Sequence, residues 1–171
     1  MPTQVLLNKK FTNFAFQNQV STLSFPIVHL ATHGKFGSTE DQTYILTWDQ
    51  KIKINQLSSL LKIAELSRGK PLELLVLSAC ETALGDAKSA LGLAGIAVRS
   101  GASSTVATLW RVSDEASAIL MSQFYDQLVQ ASKTGISKAE ALRRAQIRVL
   151  RNSEYSSPYH WAAYVLLGNW T

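Results

Sequence analysis

Four consecutive apolar residues, Leu74-Leu75-Val76-Leu77, set the tightest limit on how this chain can fold. Successive side chains of a strand point to opposite faces, so this run is apolar on both. Such a strand belongs in the middle of a parallel sheet, covered above and below. The flanking sequence supplies both neighbours and cover. Strand patterns at residues 27–32, 72–78, 104–109 and 162–167 are interleaved with helical stretches at about 56–66, 91–100, 114–131 and 137–150. Strand–helix alternation of this kind predicts an α/β sandwich with a mostly parallel central sheet flanked by helices.

The N-terminal third is less regular. Gln4-Val5-Leu6-Leu7 reads as a strand, and the stretch after it as a helix with Phe11, Phe14, Val20 and Leu23 on its inner face. Residues 44–47 and 51–54 flank Trp48-Asp49-Gln50 as a hairpin. Asn55 is a candidate cap for the helix that follows, with Leu57, Leu60, Leu61 and Ala64 on its apolar face and Gly69-Lys70-Pro71 as its stop. Gly92 and Gly95 predict a helix pressed closely on the sheet, and Gly101-Ala102 its exit.

A chain of 171 residues is the size of one domain, here spanning 1–171, and 46% apolar residues give it a core to bury. No apolar run approaches the length needed to cross a bilayer, and Met1-Pro2-Thr3-Gln4 does not open a signal segment. The expected setting is the cytoplasm: a single cysteine removes any intramolecular disulfide and fits a reducing compartment. The net charge of +5 is spread along the chain. Its densest patch, Arg143, Arg144, Arg148 and Arg151, reads as a solvated helix face rather than a nucleic-acid surface.

In open α/β sheets chemistry collects at the carboxyl ends of the strands. Three predicted strands run there into reactive or polar residues: the first into His33-Gly34, the second into Cys80, the third into Trp110 with Asp114 just beyond. A cysteine acts through its thiolate and needs a base or a positive field to form it near neutral pH. His33 lies 47 residues upstream of Cys80, close to the spacing found in caspases.

Three blocks around these residues resemble the signatures of CHAT domains. They are His29-Leu30-Ala31-Thr32-His33-Gly34, Leu77-Ser78-Ala79-Cys80-Glu81-Thr82-Ala83-Leu84-Gly85 and Leu109-Trp110-Arg111-Val112-Ser113-Asp114. Tyr159-His160-Trp161-Ala162-Ala163-Tyr164-Val165 is similar to the family's last strand. CHAT domains are caspase-like, clan CD cysteine peptidase domains with a separase-like core, often fused to tetratricopeptide repeats in bacteria. The resemblance implies a caspase-like three-layer sandwich and a protein or peptide substrate, with no cofactor. It implies His33 as base, Cys80 as nucleophile, and an oxyanion hole from the N–H groups of Gly34 and Cys80. Asp114 matches the separase-like aspartate that pairs with a basic residue before the scissile bond. CHAT domains usually extend further upstream, so this chain is expected to be the C-terminal, catalytic portion of a longer polypeptide.

Other readings of the same residues stand beside these. Cys80 can be a small buried hydrophobe, and Asp114 can simply begin a helix, where a carboxylate is favoured. Trp110 is either a wall of the cleft or a core residue. His29 is read as structural, hydrogen-bonded beneath the site. His29, His33, Cys80 and His160 could be written as a zinc set, but the i, i+4 histidine pair of zinc enzymes lies on a helix and this one lies in a strand pattern. The glycines form no phosphate loop. An alternative to a peptidase is a silent or regulatory interaction module that keeps the fold as a scaffold.

Overall fold

A computed structural model describes residues 3–22, 25–35, 40–78 and 101–171. Its middle layer is a four-stranded sheet, made of β1 (Ile27–Leu30), β5 (Leu74–Leu77), β6 (Ser104–Thr108) and β7 (Tyr164–Gly168), side by side in that order. β1, β5 and β6 are parallel, and β7 runs antiparallel to β6. A smaller antiparallel sheet joins β2 (Gly34–Lys35), β3 (Tyr44–Leu46) and β4 (Lys51–Lys53).

The residues of β5 are each 2% exposed or less, as a strand apolar on both faces requires. Leu75 and Leu77 join one core with α1 (Asn13–Thr22), α2 (Ile54–Arg68) and Ile45 and Ile52 of the small sheet. Leu74 and Val76 join a second core with α3 (Asp114–Thr134) and α4 (Lys138–Leu150). Helices thus cover both faces, and the three-layer α/β sandwich expected from the sequence is the fold observed.

Local signals account for the element ends. At the start of α2, the Lys53 N–H donates to Gln56 Oε1 at 2.9 Å, so the helix begins at Ile54 and Asn55 lies inside it rather than capping it. Gly69, left-handed at φ 68°, closes α2 as expected. Gly101 is left-handed at φ 108°, and a Cβ there would stand 3.2 Å from the Leu61 carbonyl oxygen and 2.8 Å from Glu65 Oε2. Its lack of a side chain lets the entry to β6 pass against α2.

Three local expectations are corrected. Residues 4–7 form no strand: the one described backbone hydrogen bond they make is local, from the Lys10 N–H to the Leu7 carbonyl at 3.0 Å, and Val5 and Leu7 stay exposed. In α1 the inner face is Phe16 and Val20, one helical turn apart, whereas Phe14 is 80% exposed. Phe14 sits two residues from Phe16, about 200° around the helix. Finally, Pro158–Trp161 is a single helical turn, α5, started by Ser157 and Pro158, so the last strand begins at Tyr164 and not at 162. Leu23 and the predicted helix at 91–100 lie outside the described residues.

Candidate active site

Because β1, β5 and β6 are parallel, their carboxyl ends share one edge of the sheet. A cleft of about 420 Å³ opens there, walled among others by His29, His33, Ser78, Thr108, Arg111 and Asp114. Residues from the ends of all three parallel strands therefore meet in one space.

His33 is exposed and stands three residues past the end of β1, where the chain crosses to β2. Two bonds to β3 hold the crossing: Thr32 Oγ1 donates to the Leu46 carbonyl at 2.7 Å, and the Leu46 N–H donates to the His33 carbonyl at 2.8 Å. Gly34 then pairs with Ile45. Ser78 extends β5 by one residue, its N–H donating to the Leu30 carbonyl at 3.0 Å. Cys80 follows two residues later in sequence, and its pairing with His33, like its N–H, lies outside the described residues.

A family model for the CHAT domain matches residues 2–169. The chain belongs to the CHAT domain family. That family is one of caspase-like peptidase domains, and the strand-end cleft is where such a fold carries its chemistry. Comparison with curated proteins finds no match.

In this CHAT domain Asp114 is the first residue of α3, exposed and on the wall of the cleft. The cap belongs to its neighbour: Ser113 Oγ accepts from the Ala116 N–H at 3.2 Å. Buried Val112 anchors the turn from beneath. The carboxylate gains from the positive end of the helix and still faces the cleft, so helix start and cleft wall coincide. Trp110 is committed elsewhere, donating through Nε1 to the Tyr159 carbonyl at 2.9 Å and packing on the second core.

His29 sits where this cleft meets a second, more apolar one of about 670 Å³ that runs along β1. Its Nδ1 lies 3.0 Å from the Tyr125 hydroxyl and its Nε2 lies 3.1 Å from Ser78 Oγ. The residue is open to both clefts, yet protein crowds the ring enough to lower its pKa. The same burial raises the Tyr125 phenol above its usual value. With both nitrogens bonded to hydroxyls, His29 is a poor metal ligand; His160 packs between the rings of Tyr155 and Tyr159. Among the described residues no group of His, Cys, Asp and Glu side chains could hold a metal ion, and no helix is long and apolar enough to cross a membrane.

Two residues singled out from the sequence, His33 and Asp114, line the cleft, and Gly34 opens β2; the bonds of His29 to Tyr125 and to the Ser78 hydroxyl were not foreseen. Tyr125 lies 96 residues from His29 on a helix whose other inward residues are apolar, and nothing local marks it. Ser78 was readable only as a neighbour of the cysteine. Half of the basic patch is paired within its own helix: Glu140 accepts from Arg143 and Arg144 at 2.7 Å each, on an exposed face of α4. These pairs hold the Glu140 carboxyl down at about 2.

Proposed function

We propose that this CHAT domain is a cysteine endopeptidase in which His33 and Cys80 form the catalytic dyad and Asp114 receives a basic residue before the scissile bond. The observation that supports this reading best is the common cleft of His33, Asp114 and Ser78, which stands two residues before the cysteine.

In this reading the His33 imidazole takes the Cys80 proton, and the thiolate attacks the scissile carbonyl carbon. The carbonyl π electrons move to oxygen, where the N–H groups of Gly34 and Cys80 meet the new charge. The imidazolium then gives its proton to the departing amine as the C–N bond breaks, leaving a thioester. Water, deprotonated by His33, attacks the thioester carbon and releases the acid and the thiol. The Asp114 carboxylate offers a guanidinium two acceptor oxygens, a stronger partner in a cleft than on an open surface. The substrate is a protein or peptide, the compartment cytoplasmic, and tetratricopeptide repeats are candidate upstream partners in a longer chain.

The deciding assay compares fluorogenic peptides with Arg, Lys or Asp before the reporter, on wild-type and Cys80→Ala protein. Turnover of the basic peptides alone, abolished in the variant, is expected. Turnover that survives in Cys80→Ala protein would overturn the dyad. A wild type that binds peptide without turnover would favour the interaction-module reading.

A further inference from the structure

The chain of hydroxyl, imidazole and hydroxyl from Tyr125 through His29 to Ser78 is unused by the dyad chemistry, and its geometry points to a task. Ser78 is the last described residue before Cys80, two positions further along the chain. It is held to β1 twice: by its N–H on the Leu30 carbonyl at 3.0 Å and by its Oγ on His29 Nε2 at 3.1 Å. β1 is also the strand that leads, four residues after His29, to His33. One imidazole therefore ties the approach to the nucleophile to the approach to the base.

We propose that His29 is a positioning residue, oriented by Tyr125, that holds Ser78 and so fixes the separation of His33 and Cys80. This rests on the dyad reading above. A phenol is a stronger hydrogen-bond acid than an alkyl hydroxyl, so the Tyr125 O–H donates to Nδ1. That leaves the neutral ring with its proton on Nε2, donating to Ser78 Oγ. The tautomer is set by a residue on α3, and the ring's χ angles are confined by partners on both sides. Two catalytic groups that follow different strands gain most from this kind of support, because small misplacements of reacting atoms cost large factors in rate.

Tyr125→Phe and Ser78→Ala each delete one oxygen and leave the packing intact, which keeps the test clear of misfolding; circular dichroism melts check this. Each should lower kcat on the basic peptide about five- to tenfold, with KM within about twofold of wild type. Ser78→Thr, which keeps the hydroxyl, should restore most of the loss. The double variant should be no slower than about the worse single one, because both hydroxyls act through the same ring. Alkylation of Cys80 by iodoacetamide, unambiguous because the chain has one cysteine, should slow in parallel. Wild-type kcat in both single variants, with Cys80→Ala dead, overturns the positioning role and leaves the dyad standing. Activity that persists in Cys80→Ala protein overturns both.

Discussion

The Leu46 N–H donates to the His33 carbonyl at 2.8 Å, one residue before Gly34 pairs with Ile45. In an antiparallel ladder that bond makes Gly34–Ile45 a non-hydrogen-bonded pair, and the N–H of such a residue points away from its partner strand. The Gly34 N–H is therefore left out of the small sheet's ladder. Gly34 is also extended rather than left-handed, so its value lies in a bare backbone and not in an unusual φ. Both properties suit an oxyanion donor.

Replacing that donor gives the first prediction. Gly34→Pro removes the N–H without breaking a ladder bond but adds a ring at a buried position, so Gly34→Ala, which adds a Cβ and keeps the N–H, is its control. On the proposed mechanism kcat should fall about 10²- to 10³-fold, the usual cost of one oxyanion donor. Steady-state kinetics beside a thermal melt would check it. Unchanged kcat in folded protein would remove Gly34 from the mechanism.

The second concerns the dyad as a unit. Cys80→Ala and His33→Ala should each abolish most turnover, and the double variant should be no worse than the cysteine change alone. Losses that multiplied across the double variant would mean that the two side chains act independently.

The sandwich was legible because β5 carries its environment in its composition: a strand apolar on both faces has few places to go. Boundaries were less legible where tertiary partners decide them. Residues 4–7 have the pattern of a strand but not the hydrogen-bond partner. The two residues of β2 are too few to show a period, although they are what turns the Gly34 N–H outward. At the site, His33 and Asp114 could be read because each follows a strand pattern in a distinctive block. Tyr125 could not, since its partnership with His29 exists only once α3 lies across the sheet. The pairing of His33 with Cys80 lies outside the described residues.

Asp114 supplies the third prediction. Asp114→Asn removes the charge and keeps the shape. As the first residue of α3 beside a serine cap, the carboxylate is worth about 0.3–1 kcal/mol to the helix, so stability should fall only slightly. If it holds a guanidinium, kcat/KM on the Arg peptide should drop at least about tenfold, as expected when a charge-assisted pair is lost. Profiling across substrates separates the two roles. A uniform drop on basic and neutral peptides alike would reduce Asp114 to a helix start.

A fourth test is purely structural. Gly101→Ala must accept φ 108° and place its Cβ 3.2 Å from a backbone oxygen of α2, whereas Gly69→Ala at φ 68° meets nothing within 4 Å. Both are strained, by about 1–3 kcal/mol each, but only Gly101 adds a clash that the fixed Leu61 carbonyl cannot relieve. Thermal melts should rank wild type above Gly69→Ala, and Gly69→Ala above Gly101→Ala. Equal melting points for the two variants would show that the approach of β6 to α2 is looser than its geometry.

The last prediction follows from His29 as a titrating group. Crowding lowers its folded pKa beneath the ordinary 6.5, while the unfolded chain keeps the ordinary value. Just below about pH 6.5 the unfolded state therefore binds a proton that the folded state does not, and stability rises with pH in that window. The contribution is complete above about pH 6.5 and declines as the pH falls through the range between the two values. Lowered carboxylates act further down. Glu140, held at about 2 by Arg143 and Arg144, and Asp49, lowered first by the Asn13 N–H and then by Thr47, lose their contributions only as the pH falls through the carboxylate range. Between about pH 7 and pH 5.5 the His29 effect is thus separable from theirs. Urea midpoints for wild type should fall across that interval by more than those of His29→Gln, which has no proton to take up. Parallel lines for the two proteins would mean that the His29 ring is as well solvated when folded as when unfolded.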